Sequence, residues 1–369
     1  MEQWILQDIC KIYDCPHTTA KDEGLGMPLV RTPNVGKGRL NLTNVHRVSS
    51  EVYKERTVRA IPEEDDIIIA REAPVGNAAI IQKGQIVCLG QRVVLLKPNK
   101  DLVDPNFLVY YLLSNEVQHR LRIQANGAVV AHLNVADIRN LTISLPPLYE
   151  QKRIGKSLKI IDDKIDLNRR INDNLEQQAQ ALFKSWFVEN ASYSGVSISE
   201  YFLPNRGKNL LVSDAKGGKT PVVAGGLTPS AFHNVANTKA PVITISASGA
   251  NAGFVNLWGI PVWAADSSYI DSTIVSNIYF WYNLLKYNQK NIYESQTGSA
   301  QPHIYPKHIG NLLIPDLDMR KVKCYESIVT SMYLQINEIQ QETKLLTDLR
   351  DTLLPKLMSG ELKINDLNC

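Results

Sequence analysis

The stretch LPPLYEQKRIGKSLKIIDDKIDLNRRINDNLEQQAQALFKSWF, residues 145–187, stands near the middle of a chain of 369 residues. Apolar residues recur in it every three or four positions, and neither glycine nor proline follows Gly155 before its end. This spacing predicts one long amphipathic helix that begins after Pro147. Because 369 residues are enough for two or three domains, the helix is expected to lie between separately folded halves.

A shift of 171 positions places the first half of the sequence on the second half. The apolar run FLVYYLLS (107–114) then falls on IYFWYNLL (278–285), and His132 falls on His303 without a gap. A period of this length is too long for a solenoid repeat and indicates two copies of a whole module.

Each copy has the same order of predicted elements. Short β-type runs with turn residues between them predict a small, curved, mostly antiparallel sheet, and a short apolar helix follows at 107–121 or 278–287. A loop with a histidine, a short strand ending at proline and a long helix close each copy. The β-type runs span 28–43, 66–98, 219–233 and 240–270.

The two long helices each carry a heptad seam, read in steps of four and three residues. A single amphipathic seam needs a partner, and two helices of matched length in one chain can supply each other, which predicts an intramolecular coiled coil. The predicted seam consists of Ile154, Leu158, Ile161, Ile165, Asn168, Asn172, Leu175, Leu182 and Trp186 in the first helix and Val329, Met332, Ile336, Ile339, Leu346, Leu353 and Leu357 in the second.

Asn168 and Asn172 are polar residues within this seam, and two interpretations stay open. They form either a polar layer that fixes the register at some cost in stability or a surface for a partner helix.

A helix of ~35 residues is about 50 Å long. If both modules touched B-DNA, they would contact two short patches about one helical turn apart, and the bases between them would go unread.

Composition limits the compartment and the class of partner. Five cysteines without paired spacing fit a reducing compartment, and the first ten residues include acids and no apolar signal region, so a cytoplasmic protein without a membrane span is expected. The net charge of +3 is only mildly basic. Any nucleic-acid surface must therefore come from local clusters of Lys and Arg.

Basic and polar loops of the two copies are the candidate DNA-binding sites. Arg pairs with guanine edges and Asn with adenine edges, whereas Lys mostly meets phosphates. These loops differ most between the copies, which favours two different half-site sequences read from one scaffold. The candidates are Arg31, Lys37, Arg39, Arg71, Arg92, Arg206, Lys208, Lys216, Lys219, Ser248 and Asn251, with Ser246 beside them.

Catalytic and metal sites are not expected. GGKT at 217–220 lacks the first glycine of a phosphate-binding loop, and the strings PD at 315–316 and ELK at 361–363 favour a turn and a solvated helix end over a nuclease site. His132 and His303 lack the further ligands that a metal needs. They are expected to hydrogen-bond the strand turn in each copy, with a DNA-phosphate contact as the alternative.

The stretch at 145–187, with its proline exit, P-x-x-EQ turn and terminal LFKSWF, resembles the first conserved region of the specificity (S) subunits of type I restriction-modification systems, the HsdS family. LLTDLRDTLLPKLMSGEL at 345–362 resembles the end of the second conserved region. GNAAII, GQRVVLLKP and ANGAVVAHLNVADIRNLTISLP extend the resemblance over nearly the whole chain.

The resemblance implies an α+β fold with two target recognition domains joined by two long antiparallel helices. It places target recognition domain 1 at 1–147, the central conserved helix at 148–190, target recognition domain 2 at 191–317 and the C-terminal conserved helix at 318–369. Each recognition domain is expected to read one half of a bipartite asymmetric site in double-stranded DNA.

The resemblance also implies that the helices bind two modification (methyltransferase) subunits, through which restriction (translocase and nuclease) subunits join. The partners, and not this chain, would use S-adenosylmethionine, ATP and Mg²⁺. In LPPLY, Leu145 stands where a methyltransferase needs an amide or carboxylate, so this chain is expected to be non-catalytic. Glu150 and Gln151 have no counterpart at 321–322. The alternative function is a stand-alone or architectural DNA-binding protein with a coiled-coil spacer.

Overall fold

A computed structural model describes residues 2–125, 131–189, 191–298 and 301–363. The chain forms two compact units: unit 1 contains Met1–Asp166 and Lys344–Cys369, and unit 2 contains Leu167–Thr343. Within the described residues, no helix is both long enough and apolar enough to cross a membrane. Residues 126–130 of the ANGAVVAHLNV motif and Cys369 lie outside the described part of the chain.

Unit 1 contains a five-stranded sheet in the order β2-β9-β6-β7-β4, a three-stranded sheet β5-β3-β8 and the pair β1-β10. Its strands are β1 (Glu2–Ile5), β2 (Cys10–Asp14), β3 (Met27–Val30), β4 (Gly38–Arg39), β5 (Arg47–Val48), β6 (Ile67–Ala70), β7 (Ala78–Ile80), β8 (Cys88–Leu89), β9 (Val93–Pro98) and β10 (Thr142–Leu145). Its short helices are α1 (Leu6–Ile9), α2 (Ser50–Arg56), α3 (Pro105–Leu112), α4 (Asn115–Gln124) and α5 (Val135–Arg139).

The central strand β6 explains how this sheet is buried. Successive side chains of a strand point to opposite faces. Ile67 and Ile69 pack in the core that contains α3, whereas Ile68 and Ala70 pack in a second core on the other face. Both faces are therefore covered, and all four residues of β6 are buried.

Unit 2 contains a four-stranded sheet β11-β17-β14-β15 and a three-stranded sheet β13-β12-β16. Ile243 and Ile245 of its central strand pack against the following helix, as Ile67 and Ile69 do in unit 1. The strands are β11 (Asn205–Arg206), β12 (Thr220–Val223), β13 (Ala231–His233), β14 (Val242–Ser246), β15 (Val255–Trp258), β16 (Trp263–Ala264) and β17 (Ser267–Asp271). The short helices are α7 (Ile278–Tyr287), α8 (Gln289–Glu294) and α9 (Pro306–Gly310).

The sheets are mostly antiparallel, as predicted. Within the described residues, the parallel pairs are β3 with β8, β4 with β7 and β12 with β16. The strand predicted before Pro315 is reduced to a single bridge between Ser197 and Leu313. This bridge occupies the place that the four-residue pairing of β1 with β10 has in unit 1.

The prediction of one helix over 107–121 is wrong, because the helix is interrupted between α3 and α4. Ser114 is extended, with φ −62° and ψ 149°. The Gln118 side chain donates its Nε2 hydrogen to the Leu112 carbonyl oxygen at 2.8 Å, which satisfies an acceptor at the end of α3. Side-chain capping thus compensates for the interruption of the helical hydrogen bonds.

The long helices are α6 (Leu148–Phe187) and α10 (Met319–Ser359). In unit 2, Asn168 contacts Thr343, and the Tyr325 hydroxyl donates to the Ala179 carbonyl oxygen at 2.9 Å. Residue numbers rise along one helix as they fall along the other, so the two segments are antiparallel. In unit 1, Ile154 of α6 and Leu357 of α10 share one core. The predicted α+β fold with two long antiparallel helices is confirmed.

The predicted seam residues are buried or half-buried in both long helices. Asn168 is fully buried, and its Nδ2 donates to Glu342 at 2.8 Å and to Thr343 Oγ1 at 3.2 Å. These contacts with α10 favour the register-fixing interpretation for Asn168. Asn172 is half-buried, and its Oδ1 accepts no hydrogen bond within the described residues.

A polar group lies within the apolar seam of unit 1. Asp162 is 2% exposed and accepts hydrogen bonds from the Tyr110 hydroxyl at 2.6 Å and from Arg350 Nη1 at 2.8 Å. Burial beside the Asp162 carboxylate raises the pKa of Tyr110 well above its usual value. The three side chains join α3, α6 and α10 through a charge that has been removed from water.

The two long helices begin differently. Gln151 is buried, accepts from the Asp104 backbone N–H at 3.0 Å and donates to the Pro146 carbonyl oxygen at 2.9 Å. Val322, on which the repeat places Gln151, is an apolar core residue. The absence of the glutamine at position 322 therefore reflects replacement of a hydrogen-bonded anchor by apolar packing.

Gly155 and Glu326 are matching positions of the repeat, and equivalent helices are capped beside them in different ways. In unit 1, Asp104 caps α3 by accepting from the Phe107 N–H at 2.8 Å, and a Cβ at Gly155 would lie only 2.6 Å from that nitrogen. In unit 2, Glu326 accepts from the backbone N–H groups of Tyr279 at 3.2 Å and Phe280 at 2.7 Å. Glycine thus makes room for the cap in one copy, and the long helix supplies the cap in the other.

Candidate nucleic-acid interface

The same hydrogen bonds hold the loop after the central strand in both units. Gln118 Nε2 donates to the Gly76 carbonyl oxygen at 2.8 Å, and Gln289 Nε2 donates to that of Gly253, also at 2.8 Å. Both glycines have positive φ, 81° and 88°, which favours glycine. The loop at 71–76 is therefore structurally equivalent to the loop at 247–253, which is one residue longer.

Backbone hydrogen bonds fix the residue-by-residue match. The N–H of Arg71 donates to the Arg92 carbonyl oxygen at 2.9 Å, and the N–H of Ala247 donates to that of Asp266 at 3.1 Å. Arg71 thus corresponds to Ala247 and Arg92 to Asp266. One residue further along the loop, Glu72 corresponds to Ser248.

We define the Glu72 cluster as Asp14, Arg71, Glu72, Arg92 and His132. Arg71 is 8% exposed, and its guanidinium donates to the Leu133 carbonyl oxygen at 2.8 Å and to Asp14 at 3.1 Å and contacts His132 Nε2 at 2.7 Å. Its donors are directed into the protein. Arg71 therefore holds the cluster together and does not present its fork to a ligand.

Glu72 lies between Arg92 and His132. Its carboxylate pairs with Arg92 Nη1 and contacts His132 Nδ1 at 2.8 Å. Glu72 is shielded, with 13% of its side chain exposed, whereas 62% of the Arg92 side chain is exposed. The cluster borders a surface pocket with His17 and Gln91, so the exposed edge of Arg92 faces solvent.

Arg92 also has an unusual backbone conformation. Its φ is +63°, in the left-handed region, which costs a residue with a Cβ about 1–2 kcal/mol. The Arg92 N–H donates to Cys15 Sγ at 3.1 Å, and its carbonyl accepts from Arg71, so both ends of the residue are anchored. Strained residues are enriched at functional sites, which makes Arg92 a strong candidate.

We define the Asp266 cluster of unit 2 as Arg206, Ser248, Asp266, His303 and Tyr305. Asp266 accepts from Arg206 Nη2 at 3.0 Å and from the Ser248 hydroxyl. The Arg206 guanidinium lies 5.8 Å from the centre of the Tyr305 ring, and that ring stacks on His303 at 6.0 Å. Here 42% of the Arg206 side chain is exposed.

Both clusters thus contain an exposed arginine that pairs with a carboxylate near the repeated histidine, but different positions carry the charges. Arg92 of unit 1 corresponds to Asp266, and Glu72 corresponds to Ser248. The unit 2 arginine comes from β11, a different part of the chain. The scaffold is repeated, whereas the arrangement of donors and acceptors is not.

The remaining DNA-binding candidates differ in their exposure and in their contacts within the protein. Arg39 is directed at α6, where it pairs with Asp163 at 2.6 Å and Asp166 at 3.3 Å, and 12% of its side chain is exposed. Arg39 and Arg71 are therefore held by contacts within the protein. The half-buried candidates are Arg31 and Asn251; Ser246 is buried; and the exposed candidates are Lys37, Lys208, Lys216 and Lys219.

The histidines are organised differently in the two copies. The His132 ring contacts the side chains of Glu72 and Arg71, whereas the backbone of His303 pairs with Thr297 and its ring stacks on Tyr305. Within the described residues, no group of three or more His, Cys, Asp or Glu side chains is placed to hold a metal ion.

Sequence reasoning missed the carboxylates Glu72 and Asp266 and the aromatic Tyr305. Glu72 is adjacent to Arg71 in sequence, but its partner His132 is 60 residues away. The interruption of β-type runs by single acids was the available signal. It does not specify which arginine each acid pairs with.

Comparison with known proteins shows what the chain is similar to. Residues 1–177 match the family described as type I restriction modification DNA specificity domain. The MjaX type I specificity subunit of Methanocaldococcus jannaschii is 32% identical over 162 residues, which are 44% of this chain and 35% of that protein. The MjaIX specificity subunit of the same organism is 23% identical, and the match covers 90% of this chain and 84% of that protein.

The fold is also that of a solved specificity subunit. The S subunit of the type I restriction-modification system from M. genitalium superimposes with a TM-score of 0.59 at 21% identity, covering 96% of this chain and 95% of that chain. The sequence matches identify residues 1–177 as a type I restriction modification DNA specificity domain. Along most of its length the chain is similar to specificity subunits of type I restriction-modification systems, which are the non-catalytic subunits of those systems.

Proposed function

We propose that this chain selects the DNA sequence on which a type I restriction-modification complex acts, with each copy reading one half of a bipartite asymmetric site. The observation that supports this proposal best is that the two units share the same loop framework but carry different hydrogen-bonding side chains at equivalent positions. Glu72 and Arg92 of unit 1 are replaced by Ser248 and Asp266 of unit 2. Two equivalent loops with different donors and acceptors favour two different half-sites.

The side chains of the clusters suit base edges in the major groove. Arg donates two hydrogen bonds to guanine, a carboxylate accepts from cytosine, and serine can pair with several bases. The exposed lysines Lys37, Lys208, Lys216 and Lys219 suit phosphate contacts, which position the protein and make binding salt dependent. Arg71 supports the Glu72 cluster from inside, whereas Arg39 is held against α6.

We further propose that the long helices bind two modification subunits, through which restriction subunits join. Large apolar side chains remain exposed on these helices, including Ile160 at 57%, Leu334 at 51% and Leu345 at 69%. Exposed apolar side chains of this size favour protein contacts. The complex would act in the cytoplasm, with S-adenosylmethionine, ATP and Mg²⁺ used by the partner subunits.

Co-expression with the neighbouring modification gene, followed by purification and mapping of methylated bases, tests this proposal. The expected result is a stable complex that methylates a bipartite, asymmetric motif with an unread spacer. A contiguous or palindromic motif would refute two-domain reading. Sequence-specific DNA binding by the chain without any associated modification subunit would support the stand-alone architectural protein instead.

A further inference from the structure

We propose that Arg92 and Arg206 are specificity-determining residues, each of which reads a guanine in a different half of the DNA site. This inference rests on the proposed function and goes beyond it by assigning a base and a residue to each copy.

The first argument is how these two arginines are held. Arg92 pairs with the shielded Glu72 carboxylate, and Arg206 pairs with Asp266 and lies over the Tyr305 ring. Arginine has five N–H donors, so one carboxylate leaves donors unused. Because their side chains are 62% and 42% exposed, both remain accessible to a ligand while their conformations are restricted. Restricting the conformation before binding lowers the entropy cost of recognition.

The second argument is the chemistry of the ligand that fits. Guanine presents two acceptors, O6 and N7, in the major groove, and the arginine fork matches their geometry. The carboxylate beside each arginine partly neutralises its charge. A neutralised guanidinium attracts phosphate less strongly but keeps its directional donors. The geometry therefore favours a base edge over the DNA backbone.

The third argument is the contrast with Arg71 and Arg39. Arg71 is 8% exposed and directs all three of its nitrogen atoms at protein groups, and the Arg39 side chain is 12% exposed against α6. Arg92, in addition, keeps φ at +63°, where asparagine or glycine would be less strained. A purely structural ion pair does not require this conformation.

The two arginines enter their clusters from different places in the shared fold. Arg92 precedes β9, whereas Arg206 lies in β11, and the position equivalent to Arg92 is occupied by Asp266. The guanines they contact should therefore occupy different places relative to the two loops. This difference produces an asymmetric site even if both half-sites contain guanine.

The test uses the full chain in complex with its modification subunits and duplexes that carry the mapped methylation motif. Arg92→Lys and Arg206→Lys keep the charge but lose the fork. Each variant should bind the motif about tenfold to a hundredfold more weakly, as expected for loss of one bidentate contact. The salt dependence should stay unchanged because the charge is retained. Arg59→Lys, at an exposed arginine outside both clusters, is the control and should bind normally.

Duplexes with 7-deazaguanine, which lacks the N7 acceptor, identify the contacted base. Substitution at one guanine should weaken wild-type binding and have no further effect on the Arg92→Lys complex. A guanine in the other half-site should show the same relation with Arg206→Lys. Unchanged affinity of the lysine variants, persistence of the 7-deazaguanine effect in them or a half-site without guanine would overturn the inference. If the wild-type complex shows no preference for any sequence, the proposed function itself fails.

Discussion

Replacement of Asp162 by alanine should destabilise the protein strongly. The buried Asp162 carboxylate accepts hydrogen bonds from both Tyr110 and Arg350 in the seam of unit 1. The Asp162 side chain is 3% exposed and that of Arg350 is 16% exposed, so the substitution leaves a shielded guanidinium and the Tyr110 hydroxyl without their acceptor. Breaking a buried ion pair costs about 3–5 kcal/mol. Arg350 keeps the exposed Asp351 at 2.8 Å, which places the expected loss near the lower end, at about 3 kcal/mol.

Removing all three polar groups together should have a much smaller effect. In Tyr110→Phe/Asp162→Leu/Arg350→Leu, no buried charge or hydroxyl remains, and apolar replacements of a buried ion pair are often neutral or stabilising. Urea unfolding of the full chain, followed by circular dichroism, measures the free energy of unfolding for the single and triple variants. A loss below about 1 kcal/mol for Asp162→Ala, or a triple variant as unstable as the single one, would refute the reasoning.

Three further predictions concern the long helices and the core. Ile161→Asp should lower the free energy of unfolding by placing a charge in the seam. Ile160→Asp, at a residue 57% exposed, should preserve folding but weaken co-purification of modification subunits. Equal effects of the two variants would contradict the assignment of Ile161 to the seam and of Ile160 to the exposed face of α6. Gly155→Ala should be destabilising by about 1–3 kcal/mol despite the higher helix propensity of alanine, because the new Cβ would meet the Phe107 nitrogen; a higher melting temperature would refute this. Burial raises the pKa of Cys10 to about 12, so its contribution to stability is complete below pH 9 and is lost as the pH rises from 9 towards 12. Cys10→Ala should therefore flatten the fall in the free energy of unfolding over this pH range. An unchanged slope would show that this thiol does not cause the fall.

Much of the fold could be predicted from the sequence, because its strongest signals are periodic. The starts of α6 and α10, Leu148 and Met319, are separated by the offset of the repeat, and so are the starts of α5 and α9. Heptad spacing reports directly which helix face is buried. The division between α3 and α4 escaped this reasoning, because the local apolar pattern continues across Ser114, whose extended backbone interrupts the helix, and the Gln118 side chain then caps the end of α3.

The composition of the candidate site was less predictable than its location. The loops with basic residues and glycines contain Arg92, Arg206 and Ser248, which the structure places in the two clusters. Exposed and internally bonded arginines look identical in a sequence, so Arg39 and Arg71 could not be separated from them. Whether an arginine is exposed or bonded within the protein depends on carboxylates from other elements, such as Asp163 of α6 for Arg39.

The division of the chain into two units has a consequence for its synthesis. Unit 2 is one continuous segment, whereas unit 1 combines Met1–Asp166 with the segment from Lys344 onwards. On the ribosome, unit 2 can therefore complete its contacts while unit 1 still lacks Arg350 and Leu357. The core of unit 1 that contains Leu357 closes only after this part of α10 has been synthesised.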